Sequence, residues 1–167
     1  MVATRLFNWP NQFDDDEAAM AFALVLAKQA EAVNEVPVGA VVVDAKGKLI
    51  GAAYNQTISK NDPTAHAEIL ALREAAKTLA NYRLPQATLF VTLEPCAMCV
   101  GALLHARLKR VVYAASDPKT GACHSVLNLP GFRQLNHQTV FEGGVAATEA
   151  AVLLRQFFRQ RRNKATK

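Results

Sequence analysis

No run of apolar residues reaches the roughly 18 that a membrane-spanning helix needs, although 51% of the 167 residues are hydrophobic. The pattern is that of a soluble chain. Nor does a basic flank precede the first apolar segment: Asp14, Asp15, Asp16 and Glu17 stand there instead, the reverse of a signal peptide. The expected location is therefore the cytoplasm. Cysteine is scarce, three residues and so an odd number, which argues against a disulfide framework and favours metal or redox roles. No internal repeat or low-complexity linker divides the chain. Residues 1–167 are accordingly expected to form a single domain, long enough to bury about two thirds of its unfolded surface without a structural metal. One further lack is local. The segment RQFFRQRRNKATK, residues 155–167, has no acid, yet contains Arg155, Arg159, Arg161, Arg162, Lys164 and Lys167. Because the whole chain has a formal net charge of +5, the remainder is close to neutral. The basicity is a patch on a C-terminal tail and points to a polyanionic partner meeting one face.

Residues 14–35, DDDEAAMAFALVLAKQAEAVNE, repeat apolar positions at helical spacing, and Asp14 with Glu17 has the form of a capping box. VPVGAVVVD, the turn AKGK and LIGAAYN predict a buried β-hairpin over residues 36–55. After DPTA, residues 65–80 are helical in pattern and TLFVTL, 88–93, reads as a strand. EPCAMCVGALLHAR opens another helix, with Pro95 suited to its first position. RVVYAAS is a strand, DPKTGACHSVLNLPGFRQLNHQ a long loop with one short helical turn, and TVFEG a last strand. VAATEAAVLLRQFFRQRR closes the chain as an amphipathic helix. This order implies a central mixed sheet with helices on both faces.

Two short stretches carry chemistry. Cys96 and Cys99, at i and i+3 on the first turn of a helix, point the same way and can share one ion. The amides at that helix end favour thiolate. His66 begins its own helix after a strand and a turn. If the two strand-to-helix junctions are neighbours, His66 supplies a third ligand, and three such ligands suit zinc with a fourth position left open for water. Glu68, two residues on, would then sit close enough to take a proton from an activated water and deliver it to a substrate. Blander readings compete. His66 or Glu68 alone is commonly a cap or a solvated residue. CxxC also occurs in structural zinc sites, for which Cys123 and His124 would complete the shell, and in thioredoxin-like redox motifs. Neither of those explains the HxE arrangement.

Taken together, His66-Ala67-Glu68 and Pro95-Cys96-Ala97-Met98-Cys99 match the HxE…PCxxC signature of zinc-dependent nucleobase deaminases. Within that superfamily the chain closely resembles the bacterial tRNA-specific adenosine deaminases. The shared stretches are VPVGAVVV, Asn55, DPTAHAEILALR, NYRL, ATLFVTLEPCAMC, GAL, RVVY, DPKTGA and FFRQRR, spread over residues 14–163. Residues 1–13 match little, and Trp9 with Pro10 reads as a terminal staple. The resemblance implies a cytidine deaminase-like fold: a three-layer α-β-α sandwich around a mixed five-stranded sheet. It implies one zinc ion per subunit on His66, Cys96 and Cys99, with Glu68 as proton shuttle. The implied reaction converts the wobble adenosine of a tRNA anticodon loop to inosine.

By the same resemblance Asn55 hydrogen-bonds the target nucleotide, where its residues alone would read as a turn asparagine. Asp117 contacts RNA beside the target base or caps its own loop. Phe158, Arg161 and Arg162 meet RNA, while one ring of the pair Phe157 and Phe158 faces the core, since helix neighbours diverge by about 100°. A homodimer is implied, and VGALL, residues 100–104, would serve that interface or the core. Cys123 is read as a free thiol, His105 as a helix-end cation and His137 as a loop residue. Two other functions fit less of the sequence: a deaminase of a free base or nucleoside (guanine, cytosine or cytidine), which needs no basic aromatic tail, and a non-catalytic zinc-stabilised RNA-binding module, which needs no Glu68.

Overall fold

The computed structural model describes residues 9–165. The first helix, α1 (Asp16–Ala32), buries Ala19, Met20, Ala23, Leu26, Ala27 and Ala30 along one face. Its N-cap is Asp15, whose side chain accepts the Ala18 N–H at 2.7 Å. The expected capping box from Asp14 to Glu17 therefore does not form. The helix begins one residue later, where the Asp16 carboxylate is held by the Arg110 guanidinium, and Ala18 rather than Glu17 occupies the third helical position.

Strands β1 (Gly39–Val43) and β2 (Leu49–Tyr54) form the expected antiparallel hairpin, with a register shift between Val42 and Val43. The turn between them needs Gly47, whose φ is +77°. Helix α2 (Ala67–Leu79), strand β3 (Thr88–Leu93), helix α3 (Ala97–His105) and strand β4 (Arg110–Ala115) follow. The long loop after β4 contains a single 3₁₀ turn, Leu129–Gly131, and leads to β5 (Val140–Gly143) and α4 (Ala147–Ala165).

The sheet is mixed and five-stranded, in the order β2-β1-β3-β4-β5, with β1 antiparallel to both neighbours and β3, β4 and β5 parallel. Because side chains alternate across a strand, it separates two cores. Ala40, Val42, Leu89, Val91, Val111 and Tyr113 pack with α2 and α3. Val41, Val43, Phe90, Val112 and Ala114 pack with α1 and with Ala150 of α4. The α-β-α layering follows from this alternation, and burying each such aliphatic side chain contributes roughly 1.5–3 kcal/mol. On α3 the core takes Val100 and Leu103, while Gly101, Ala102 and Leu104 stay half-buried. Trp9 meets Phe22 edge-on, with ring centroids 5.4 Å apart; residues 1–8 of the expected variable segment lie outside the described residues.

Register decides where the site lies. Gly39 at the start of β1 pairs with Tyr54 at the end of β2, and Ala40 pairs with Val91 near the end of β3. The carboxyl ends of β2, β3 and β4 thus open at one edge of the sheet, the usual place for a ligand in such folds.

Candidate active site

The junctions leaving β2 and β3 are neighbours, and each places a metal-ligating side chain at a helix N-cap. His66 caps α2 and Cys96 caps α3, both with extended backbone and neither with a side-chain capping bond. Their side chains are therefore not spent on the helices they precede. Because α3 starts at Ala97, Pro95 lies outside the helix rather than at its first position. Its carbonyl is used instead, accepting the Ala122 N–H at 2.9 Å.

His66 Nδ1 stands 3.8 Å from Cys96 Sγ and 3.5 Å from Cys99 Sγ, and the three ligand atoms all lie within 4.8 Å of one another. Ligands at zinc–sulfur and zinc–nitrogen lengths of about 2.3 and 2.05 Å with tetrahedral angles would be about 3.6 Å apart. The donor set fits one such ion. Among the described residues the group has three members, and neither Cys123 nor His124 joins it. Cys123 is a buried free thiol, and His124 Nδ1 pairs with the Tyr113 hydroxyl at 2.8 Å. The four-ligand structural site weighed from the sequence therefore lacks its fourth ligand. A hydrogen bond from Cys99 pushes the Cys96 thiol down to about 4 against the opposing effect of burial, and the same bond with burial pushes Cys99 up.

Glu68 lies in the first turn of α2, with 4% of its surface exposed. Burial lifts its carboxyl above the ordinary range, offset only in part by a backbone hydrogen bond and the charge of His66. A carboxyl raised in this way binds a proton more readily than a solvated one, as a proton carrier requires. Asn55 is also buried, and its Oδ1 accepts the Ala67 N–H at 3.0 Å, satisfying an amide of the first turn of α2 from 12 residues away. Its structural work is thus a remote cap rather than a local turn.

His66, Glu68, Asn55 and Cys96 line one cleft of about 1060 Å³. Residues 116–120 form another part of its wall. Here Asp117 caps its own loop, accepting the Lys119 and Thr120 N–H groups at 2.9 and 3.2 Å and the Thr120 hydroxyl at 2.6 Å. The remaining wall is α4, through Arg155, Phe158, Arg159 and Arg162. Its two adjacent phenylalanines diverge: Phe157 is 5% exposed, Phe158 43%. Arg161 turns away and stacks over the Phe157 ring, 5.4 Å from its centroid. The structure thus gathers every site residue expected from the sequence into the cleft or directly beneath it, except Arg161, and adds Arg155 and Arg159.

Sequence reasoning missed two buried carboxylates. Glu35, with 0% exposure, accepts the Ser59 N–H at 2.7 Å and the Thr57 hydroxyl at 3.3 Å. It thereby ties the loop after β2. Glu94, 2% exposed, ties the loop after β4. Burial works to raise the Glu94 carboxyl but is outweighed by hydrogen bonds from Ser125, Asp117 and His124, which hold it down to about 2. A Glu directly before PC was the available signal, but its partners lie 23–31 residues downstream.

A profile of the MafB19-like deaminases matches residues 14–162. A tRNA-specific adenosine deaminase of Haemophilus influenzae is 51% identical over 149 residues, covering 89% of this chain and 86% of that protein. A structure solved in a study of A-to-I editing by tRNA:A34 deaminases at the wobble position of transfer RNA superposes with a TM-score of 0.79 and 43% identity, covering 81% of this chain and 98% of that one. The guanine deaminase of Nitrosomonas europaea superposes with a TM-score of 0.74 at 27% identity, over 90% and 88% of the two chains.

Proposed function

The chain belongs to the MafB19-like deaminase family, and from that membership, the geometry of the cleft and the similarity to tRNA-specific adenosine deaminases we infer that it converts the wobble adenosine of a tRNA anticodon to inosine. The observation that carries this reading is the meeting, in one cleft, of the His66-Cys96-Cys99 triad, the buried Glu68 and a basic helix. His66, Cys96 and Cys99 would hold one zinc ion per subunit, which would supply the Lewis acidity that lowers the pKa of a water molecule. Glu68 takes one proton from water and passes it to a ring nitrogen of adenine as the hydroxyl adds at C6; it then takes the remaining proton of that hydroxyl and passes it to the amine, which leaves C6 as ammonia while the C6 carbonyl of inosine forms. Asn55 and the backbone around Asp117 hold the splayed nucleotide between the two loops. Phe158 offers a face for a neighbouring base, while Arg155, Arg159 and Arg162 meet phosphates inside the cleft and Arg161 meets them at its rim.

A free-base deaminase remains the second reading, favoured by the structural likeness to a guanine deaminase. The cleft argues for the larger substrate. Its outer wall carries Arg155, Arg159 and Arg162, side chains suited to the phosphates of an RNA and without use for an uncharged free base. Met98, Val126, Leu127 and Phe132 are exposed apolar side chains on α3 and the long loop after β4 and support a second subunit covering them, as in a homodimer; light scattering of the purified protein tests this. No helix among the described residues is long and apolar enough to cross a membrane, consistent with work on tRNA in the cytoplasm.

The test is nucleoside analysis of an anticodon stem-loop, with adenosine first in the anticodon, after incubation with the protein and with free guanine and cytidine in parallel. Inosine from the stem-loop alone is the expected outcome. Conversion of the free compounds alone would replace the first reading with the second. Deleting residues 155–167 is not a clean probe of the tail, because Phe157 belongs to the packed interior; single arginine substitutions are.

A further inference from the structure

Glu94 is a buried carboxylate that the proposed chemistry leaves unused. It ends the β3 side of the junction, directly before Pro95-Cys96, and its own N–H donates to the Ala115 carbonyl at 2.8 Å. Its Oε1 accepts the N–H groups of Cys123, His124 and Ser125 at 3.1, 2.8 and 3.0 Å. Its Oε2 accepts the Asp117 N–H at 2.9 Å and the Ser125 hydroxyl. Donors from both ends of one loop thus converge on a single side chain. An ionised carboxylate suits this position because it has two oxygens with four lone-pair sites and no hydrogen to collide with a donor. The same loop is attached to the junction a second time, through the Ala122 N–H on the Pro95 carbonyl and the bridge between Cys96 and Gly121. Gly121 permits the close approach: a Cβ there would lie 2.4 Å from the Glu94 carboxyl carbon and 2.6 Å from the Asp117 carbonyl oxygen.

We propose that Glu94 is a positioning residue, whose carboxylate locks residues 117–125 onto the Cys96 junction and thereby sets the distance between the substrate wall of the cleft and the metal-binding triad. Only the choice of substrate rests on the function proposed above; the mechanical statement stands on the hydrogen bonds. Glu94→Gln is the sharpest probe, since a carboxamide turned either way aims an NH₂ at donors already present.

Amide hydrogen exchange, metal content per chain and steady-state kinetics on the anticodon stem-loop are measured for the wild type, Glu94→Gln, Ser125→Ala and Gly121→Ala. In Glu94→Gln the amides of Asp117 and of residues 123–125 are expected to exchange about tenfold faster or more, while α1 and β1 stay protected and metal content is kept. KM should rise by roughly tenfold with kcat changing less, because the wall and not the proton carrier has moved. Ser125→Ala should shift the same amides by less, and Gly121→Ala, whose Cβ would push into the Glu94 carboxyl and the Asp117 carbonyl, by at least as much. Loop amides as protected as in the wild type would overturn the proposal, as would a fall in kcat at constant KM. Should Glu94→Gln fail to fold, Ser125→Ala decides: faster exchange confined to 117–125 supports the lock, and acceleration spread evenly over the chain refutes it. A wild-type protein that leaves the stem-loop untouched would remove the proposed substrate, while the exchange comparison would still decide the lock.

Discussion

Glu68 and Glu94 lie on two walls of the same cleft, both almost completely buried, and their carboxyls move in opposite directions. Around Glu94 five donors converge, and it stays ionised at any ordinary pH. Around Glu68 burial dominates, and its affinity for a proton rises. Burial by itself therefore does not decide what a carboxylate does; the supply of N–H and O–H groups does. One wall has a fixed anion that organises a loop, the other a group able to change its protonation.

The largest expected effect comes from disabling the triad of candidate metal ligands that both walls face. Cys96→Ala, or a strong chelator, should abolish both metal binding and deamination; residual turnover above background would show that the triad is dispensable. Next is Glu68→Gln, expected to lower kcat by roughly 10³-fold with metal content and thermal stability unchanged, since no organised set of donors depends on it. A variant that lost stability instead would erase the distinction between the two carboxylates.

Glu35 provides a third carboxylate with which to sharpen the contrast. Burial works to raise it, but hydrogen bonds from Ser59, Ile58 and Thr57 prevail and its carboxyl is lowered. A carboxyl depressed in the folded state stabilises above its unfolded pKa of about 4.5 and loses that contribution as pH falls below it. Glu35→Gln should therefore cost about 2 kcal/mol at pH 7, and chemical denaturation of the two proteins should give converging stabilities as pH drops through 4. A constant gap would mean that charge is not what Glu35 contributes. The smallest effect separates adjacent rings. Phe158→Ala should weaken stem-loop binding by roughly fivefold with little change in melting temperature, whereas Phe157→Ala should lower the melting temperature and leave binding by the folded protein nearly intact.

What was legible in the sequence follows the reach of each interaction. His66 with Glu68, and Cys96 with Cys99, are local pairs whose spacing states their geometry once the helices are recognised. The nearly continuous β-branched run of Val41, Val42 and Val43 likewise announced a buried strand. Glu35 and Glu94 were illegible because their donors lie 22 or more residues away, and nothing in a neighbouring residue shows that a loop will fold back onto them. Asn55 was half legible: a turn asparagine by position, it proved to cap a helix 12 residues on. The capping box failed because a rival as local as itself lay one residue on: Asp15, not Asp14, caps the helix by accepting the Ala18 N–H.

Helix α4 is both part of the packed interior, through Ala150, Leu153 and Phe157, and a wall of the cleft, through Arg155 and Phe158. It is also far downstream of the triad. In a nascent chain made from its N-terminus, His66, Cys96 and Cys99 leave the ribosome some fifty residues before α4 begins. Synthesis thus opens an interval in which the three side chains have emerged while the cleft still lacks one side, and the arrival of the last helix completes both the fold and the wall.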